Sequence, residues 1–204
     1  MMTFYHGSPR LFNQFDLRRV GDGKGLKFGY GVYLSESIPT AVLYSQCGNK
    51  ETLFKDHYLY TVEFLPELAE GNYLISAKPV HPDIVKRAET KLGQPIPKKL
   101  TLQGKEFRKW IGLTLTGLQE RCLESEKAAA EFLDSIGVVC NIWPKAQVKA
   151  DLYNTWRDIP EKNLAVFNDK YVRIVKIEHF EGQFTKDSFV EIAGTRKEIS
   201  DLHI

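Results

Sequence analysis

The chain has 204 residues, 43% of them hydrophobic and 26% charged, which is ordinary for a folded domain and excludes a disordered tail, a collagen-like rod and a disulfide-stabilised miniprotein. A net charge of +2 does not by itself demand a nucleic-acid partner. No apolar run approaches the roughly 20 residues of a membrane span. The N-terminal residues turn polar too early for a signal peptide. The three cysteines lack the spacing of metal ligands. We therefore expect a cytoplasmic protein with no metal and no membrane contact.

Hydrophobic patterning predicts strands at both ends of the chain and helices in the middle. Short β-branched, aromatic or alternating runs predict strands at residues 3–5, 31–35, 57–65, 72–75, 138–143, 164–167 and 171–177. Apolar residues at helical spacing predict helices after Ser37, over 82–92, around 107–111 and over 125–136, with Ser37 and Ser125 as N-caps. The short run at 72–75 is interpreted as a continuation or partner of the strand at 57–65.

This order of elements predicts an α+β fold and not a doubly wound parallel sheet. The sequence contains no internal repeat and no low-complexity tract, so we expect a single domain over residues 1–204. A helical insertion over about 80–124 interrupts this domain. The polar tail over about 183–204 is expected to be loosely held.

The first candidate site is the tripeptide His6-Gly7-Ser8, which follows the first predicted strand. His6 can hydrogen-bond a sugar hydroxyl, and Gly7 allows a ligand to approach the backbone closely. The N–H and C=O of Gly7 match the acceptor and donor of a flat carboxamide such as nicotinamide, with the Ser8 hydroxyl beside them. Taken alone, a histidine after a strand is more often structural.

Two tyrosines form the second candidate site. Tyr33 lies in a predicted strand and Tyr44 in the helix that follows it. If the two rings face each other they form an aromatic sandwich, which binds a planar cationic ring by stacking and by cation–π attraction. Either tyrosine alone is more typical of a protein core.

The third candidate site is the segment 161–169, a charged turn that leads into an apolar strand. Alternation along that strand predicts that Glu161, Asn163 and Ala165 share one face. The apolar Leu164 and Val166 then lie on the other face, so Glu161 and Asn163 are the polar candidates.

In this order the three elements resemble the ADP-ribosyltransferase superfamily, in the branch shared by diphtheria toxin and the poly(ADP-ribose) polymerases, whose triad is histidine, tyrosine and glutamate or a substitute. His6-Gly7-Ser8 is similar to the first motif and Gly31-Val32-Tyr33 to the second. Tyr44 matches the second stacking tyrosine, and Asn163 falls where the catalytic glutamate would be. The run at 129–138 also resembles small phage and bacterial members of the superfamily.

The resemblance covers residues 3–45 and 125–177 and implies both a fold and a reaction. The fold is a split mixed β-sheet core of the ADP-ribosyltransferase type. The reaction is transfer of ADP-ribose from NAD⁺, in which an acceptor attacks the anomeric carbon and nicotinamide leaves. NAD⁺ is thus implied as a substrate.

Roles for individual residues also follow from the resemblance. Gly7, helped by Ser8, would hold the nicotinamide amide. Tyr33 and Tyr44 would stack on the nicotinamide ring, and His6 would hold a hydroxyl of the adenosine ribose.

The sequence departs from the family pattern at Asn163. Its carboxamide oxygen accepts a hydrogen bond from the ribose 2′-OH, but an amide has no charge and cannot act as a base. Glu161 is then a candidate for the acceptor-side base. In the arginine-directed branch of the superfamily, a residue two before the catalytic glutamate orients the acceptor.

A glycine cluster at 21–25 offers main-chain N–H groups to the pyrophosphate of NAD⁺, with Arg18, Arg19 or Lys24 adding positive charge. The cluster fits neither a Walker A loop nor a Rossmann fingerprint, because no strand–glycine–helix order surrounds it. A solvated surface loop explains it equally well.

These features predict a mono-ADP-ribosyltransferase that modifies a macromolecule (protein, RNA or DNA) and releases nicotinamide. Small size and the lack of a secretion signal suit a toxin or defence effector, with a neutralising antitoxin as a candidate partner. The alternative is an inactive module that binds NAD⁺ or ADP-ribose, because Asn163 replaces the glutamate. An RNA-modifying relative, such as a tRNA 2′-phosphotransferase-like protein, ranks last because its paired histidine and arginine pattern is missing.

Overall fold

The structure is a computed structural model that describes residues 2–20, 26–45, 56–145, 148–184 and 190–199. The strands are β1 (Met2–Ser8), β2 (Val32–Ser35), β3 (Asp56–Phe64), β4 (Tyr73–Ile75), β5 (Cys140–Trp143), β6 (Asn163–Val166), β7 (Val172–Phe184) and β8 (Val190–Glu198). The helices are α1 (Ile38–Tyr44), α2 (Pro82–Leu92), α3 (Gly104–Thr116) and α4 (Leu123–Ser135). Short 3₁₀ turns lie at Leu17–Arg19, Lys98–Thr101, Ala150–Leu152, Trp156–Asp158 and Asp169–Tyr171.

The eight strands in the described ranges form one open sheet in the order β4-β5-β6-β2-β1-β3-β7-β8. Neighbouring strands are antiparallel except β4 and β5, which are parallel. Of the four helices in the described part of the chain, α2 to α4 lie in its middle. The expectation of a single α+β domain with a mixed sheet and a helical insertion is therefore confirmed.

The position of β4 differs from the sequence-based expectation. Tyr73 lies opposite Cys140 of β5, so the run at 72–75 is not a partner of the strand at 57–65. Parallel neighbours need a long crossover connection, and helices α2 to α4 supply it. The insertion expected to end at about 124 therefore extends through α4 to Ser135.

The polar tail also contains more structure than its composition indicates. β7 continues to Phe184, and β8 pairs antiparallel with it, with Phe184 opposite Val190. An edge strand is held by main-chain hydrogen bonds and needs no apolar face of its own, so a polar sequence can form one. Residues 185–189 and 200–204 lie outside the described ranges.

The helix N-termini show which capping predictions hold. Ser37 caps α1, because its Oγ accepts a hydrogen bond from the N–H of Thr40. Ser125 is not the N-cap of α4; Cys122 is. Ser125 Oγ instead accepts a hydrogen bond from the Cys122 N–H at 3.0 Å, the reciprocal half of a capping box.

Alternation along the strands separates two faces of the sheet. On the loop face, Phe4 and Leu164 belong to an apolar cluster that the loop residue Phe12 covers. On the helix face, Leu59 packs with Ala41 of α1, and helices α2 to α4 cover the region near β4. Tyr33 and Asn163 alternate with loop-face residues and therefore lie on the helix face, whereas His6 shares the loop face with Phe4.

Helix α1 packs so closely on β1 that a side chain at position 7 has no room. A Cβ atom on Gly7 would lie 1.8 Å from the carbonyl oxygen of Ala41 and 3.1 Å from the nitrogen of Ser45. Gly7 therefore sets the position of α1, and with it Tyr44, whether or not a ligand is bound.

We expect Gly7→Ala to lower the free energy of unfolding by about 3 kcal/mol, because the added methyl group meets main-chain atoms that cannot rotate away. Gly117→Ala is the matched control: its Cβ would enter open space, and only its φ of +70° opposes the change, at about 1 kcal/mol. Urea unfolding of both variants tests this. Equal losses would show that α1 moves away from β1 at little cost.

Candidate active site

The centre of the sheet is split between β1 and β2. These neighbours share one residue pair, Tyr5 with Ser35, whereas β1 pairs with β3 from Met2 to Ser8. Beyond Tyr5 the carbonyl of Tyr33 accepts a hydrogen bond from His6 Nδ1 at 2.8 Å. A side chain thus occupies the place of a main-chain donor, and the two strands diverge.

The split leaves main-chain groups of Gly7 facing the gap. In an antiparallel pair, alternate residues direct both main-chain polar groups to the same neighbour. The Tyr33 carbonyl faces β1, so Ser35 and its partner Tyr5 are a hydrogen-bonded pair. Two residues on, the N–H and C=O of Gly7 face β2 across the gap. The predicted binding of a carboxamide by these groups stays a prediction.

His6 lies under aromatic residues on the loop face. Its ring contacts Phe12, Phe15 and Tyr60 edge-on, with centroids 5.2–5.9 Å apart. Burial lowers the pKa of His6 below 6.5, and the hydrogen bond to the Tyr33 carbonyl opposes this only in part. His6 is therefore neutral at pH 7, with Nδ1 as donor, and Nε2 has no hydrogen-bond partner in the part of the chain that the structure describes.

Tyr33 is fixed by its hydroxyl group. The Oη donates to the carbonyl of Gly29 at 2.8 Å and accepts from the Phe28 N–H at 3.2 Å. Burial, the largest cause, raises the pKa of Tyr33 to about 12, and Tyr44 is among the groups that raise it further. Tyr44 lies exposed at the end of α1, and stacking of the two rings on one ligand stays a prediction.

Two aromatic residues that the sequence analysis did not identify, Phe28 and Trp143, pack beside Tyr33. Phe28 stacks on Trp143 at 4.0 Å with parallel rings, and the Tyr33 ring meets Trp143 edge-on at 5.5 Å. Asn141 holds the same turn by donating to the Phe28 carbonyl at 2.9 Å. Only the β5–β6 register brings Trp143 to the site, and no local pattern in the sequence reports that register.

Asn163 combines deep burial with an unused acceptor. It is 2% exposed, and its Oδ1 has no hydrogen-bond partner among the described residues. It lies between Ser35 of β2 and Trp143 of β5, and Tyr33 is its diagonal neighbour on the same face. A buried carbonyl without a donor is rare and costs free energy, so this oxygen is an unused acceptor enclosed by the protein.

Glu161 is not brought onto the same strand face. β6 begins at Asn163, and Glu161 lies in the preceding turn with a φ of 44°. Its half-exposed carboxylate pairs with Lys145 at 2.7 Å. The predicted alternation therefore does not extend back to Glu161.

Two other predicted site residues, Ser8 and Arg18, form hydrogen bonds with residues close to them in the sequence. Ser8 Oγ accepts from the Arg10 N–H at 3.0 Å. Arg18 is exposed and forms two hydrogen bonds of 2.9 Å with the Asp16 carboxylate. The cluster at 21–25 lies outside the described residues. Arg18 also borders a cleft on the side of His6, lined by Asn13, Gln14, Phe15, Asp16, Leu17, Arg18, Asp169, Lys170, Val172, Arg173 and Ile174.

The described residues contain no group of three histidine, cysteine or acidic side chains placed to hold a metal ion. None of the helices in the described ranges has the length and apolar character that crossing a bilayer requires. Comparison with protein-family models, with curated proteins and with solved structures gave no match to this chain.

We expect Asn163→Ala to leave the free energy of unfolding within about 1 kcal/mol of wild type, because it removes a buried acceptor that makes no hydrogen bond. Asn141→Ala is the control, since Asn141 is equally buried on the same face but bonds Phe28 and Ser76. It should lose about 2–3 kcal/mol. Urea unfolding measures both, and a comparable loss in Asn163→Ala would mean that its amide is satisfied.

The lowered pKa of His6 predicts a pH dependence of stability. The unfolded chain binds this proton more readily than the folded protein, so stability falls as the pH drops through 6.5 towards the folded pKa. His6→Asn keeps a donor for the Tyr33 carbonyl but cannot be protonated. Its unfolding free energy should fall less than that of wild type between about pH 7 and pH 5, and parallel curves would contradict the assignment.

Proposed function

We propose that this chain is a mono-ADP-ribosyltransferase that uses NAD⁺ and releases nicotinamide. The observation that carries the proposal is the buried Oδ1 of Asn163 on β6, diagonal to Tyr33, which has no hydrogen-bond partner among the described residues. A sheet opened between β1 and β2 by His6 supports the split-sheet core of the ADP-ribosyltransferase type. His6 and Tyr33 adjoin this split, and Asn163 lies one strand further away, on β6 opposite Ser35.

We assign the nicotinamide end of NAD⁺ to the helix-face side of the gap. The N–H and C=O of Gly7 bind its carboxamide, which has a complementary acceptor and donor. Tyr33 and Tyr44 stack on the cationic ring. The hydrogen bonds of the Tyr33 hydroxyl fix the orientation of the Tyr33 ring. Ser8 contributes only if its hydroxyl turns away from the Arg10 N–H.

The two riboses fit on opposite sides of the gap. Asn163 Oδ1 accepts the 2′-OH of the nicotinamide ribose on the helix face. The neutral His6 accepts a hydroxyl of the adenosine ribose through Nε2 on the loop face. An extended dinucleotide lying along the split between β1 and β2 is expected to contact both residues, and Arg18 lies on the His6 side near the pyrophosphate end.

The reaction follows from these contacts. The bond between the ribose anomeric carbon and nicotinamide breaks, and its electron pair goes to the ring nitrogen, which becomes neutral. Positive charge spreads over the ribose, where Asn163 orients the 2′-OH. The acceptor then forms the new bond to the anomeric carbon and loses its proton to a base.

Asn163 cannot be that base, because an amide does not bind the proton at neutral pH. Glu161 is the carboxylate nearest to it in sequence, and we propose it as the acceptor-side base when the acceptor displaces Lys145. Without a carboxylate at position 163, elongation from a ribose hydroxyl fails. One ADP-ribose per acceptor site is therefore the expected product.

The second candidate function is a module that binds NAD⁺ or ADP-ribose without transfer. The amide at Asn163 and the pairing of Glu161 with Lys145 favour it, because neither leaves a free base at the site. For the active form, we propose a cytoplasmic toxin or defence effector with a protein, RNA or DNA acceptor and a neutralising antitoxin.

Incubation with labelled NAD⁺ and separate protein, DNA and RNA pools tests the proposal. Wild type should release nicotinamide and label one pool without forming polymer. Asn163→Ala should lose about 10²-fold in rate, because it removes a contact made in the transition state, while its NAD⁺ affinity changes little. Binding of NAD⁺ without nicotinamide release would favour the inactive module, and full activity of Asn163→Ala would refute the role of this residue.

A further inference from the structure

A buried ion pair in the helical insertion lies beneath the turn that holds Tyr33. Arg108 of α3 and Glu126 of α4 are each 1% exposed, and Nη1 of Arg108 contacts Oε2 of Glu126. Arg121 approaches Oε1 of Glu126 at 3.2 Å from the rim, where it is 38% exposed. Removing two charges from water costs free energy that an apolar pair would avoid, so stability alone does not explain this arrangement.

The guanidinium of Arg108 lies directly against the main chain of Gly29. A Cβ atom on Gly29 would be 3.2 Å from Nε and 3.3 Å from Cδ and Cζ of Arg108. Gly29 has a φ of +117°, which few other residues adopt. Its carbonyl is the acceptor for the Tyr33 hydroxyl. A continuous series of contacts therefore runs from Glu126 through Arg108 and Gly29 to Tyr33.

Arg108 remains charged while it fills this space. Burial, the largest cause, lowers its pKa to about 10, and Tyr33 and Glu106 oppose this in part, so the guanidinium is protonated at neutral pH. Its ion pair is with Glu126. Its Nε has no hydrogen-bond acceptor among the described residues. The side chain thus contributes a flat surface to the turn, and its charge is directed to Glu126.

We infer that Arg108 is a positioning residue that sets the angle of the Tyr33 ring through Gly29, and that α3 and α4 serve as the support of this ring. The inference rests on the proposed function in that Tyr33 is taken to stack on nicotinamide. Its structural part, the control of the turn at 26–31, stands independently. A lysine at position 108 would keep the charge for Glu126 but would lose the planar contact with Gly29.

Arg108→Lys tests the inference, with Arg121→Lys as the matched control because Arg121 touches the same glutamate without touching Gly29. Hydrogen exchange at the Phe28 N–H, which donates to the Tyr33 hydroxyl, reports the turn in the absence of any ligand. Steady-state kinetics of nicotinamide release separate KM for NAD⁺ from kcat. In Arg108→Lys we expect exchange and KM each to rise by about tenfold or more, with kcat little changed.

Arg121→Lys should change neither quantity. Unchanged exchange at Phe28 in folded Arg108→Lys, or an equal rise in Arg121→Lys, would overturn the inference. If exchange at Phe28 is faster in Arg108→Lys but wild type releases no nicotinamide, the role of Arg108 in holding the turn is supported and the proposed function is refuted. If Arg108→Lys does not fold, the double variant Arg108→Met with Glu126→Leu removes both charges, and wild-type exchange at Phe28 in that protein overturns the inference equally.

Discussion

The hydrogen bond from His6 to the Tyr33 carbonyl is the interaction on which the rest of the site depends. By taking the acceptor that a main-chain N–H would otherwise use, it keeps β1 and β2 apart beyond the pair of Tyr5 and Ser35. The sheet is thereby divided into a half that carries the helical insertion and a half that carries the long β3–β7 ladder. Helix α1 follows β2 in the chain but packs on β1 at Gly7, so it spans both halves.

Several features in and around the candidate site reduce stability. An unpartnered carbonyl at Asn163, a buried ion pair at Arg108 and a left-handed backbone at Glu161 each have a free-energy cost. Outside the split, β3 and β7 pair from Asp56 to Phe64, and three apolar clusters cover the two faces.

Local structure was accessible from the sequence because its causes are local. Pro82 at the start of α2 and a left-handed Gly93 after it fix both ends of that helix, and the alternation after His57 fixes β3. Pairings between distant segments were not accessible. Nothing near Trp143 indicates that it lies opposite Asn163, and nothing in α3 indicates that Arg108 reaches Gly29, because both depend on sheet register and helix docking.

The topology also makes the site late to assemble. Its histidine lies on the first strand of the described chain and its asparagine on the sixth, with the whole crossover of α2 to α4 between them. Pairings of such wide sequence separation form slowly, because chain entropy must be lost before any contact is gained. A nascent chain that has exposed His6, Tyr33 and Tyr44 still lacks β6, on which β2 depends for its full set of partners. Until that strand emerges, β2 lacks its partner on that side, and the side chains of the candidate site have no rigid frame.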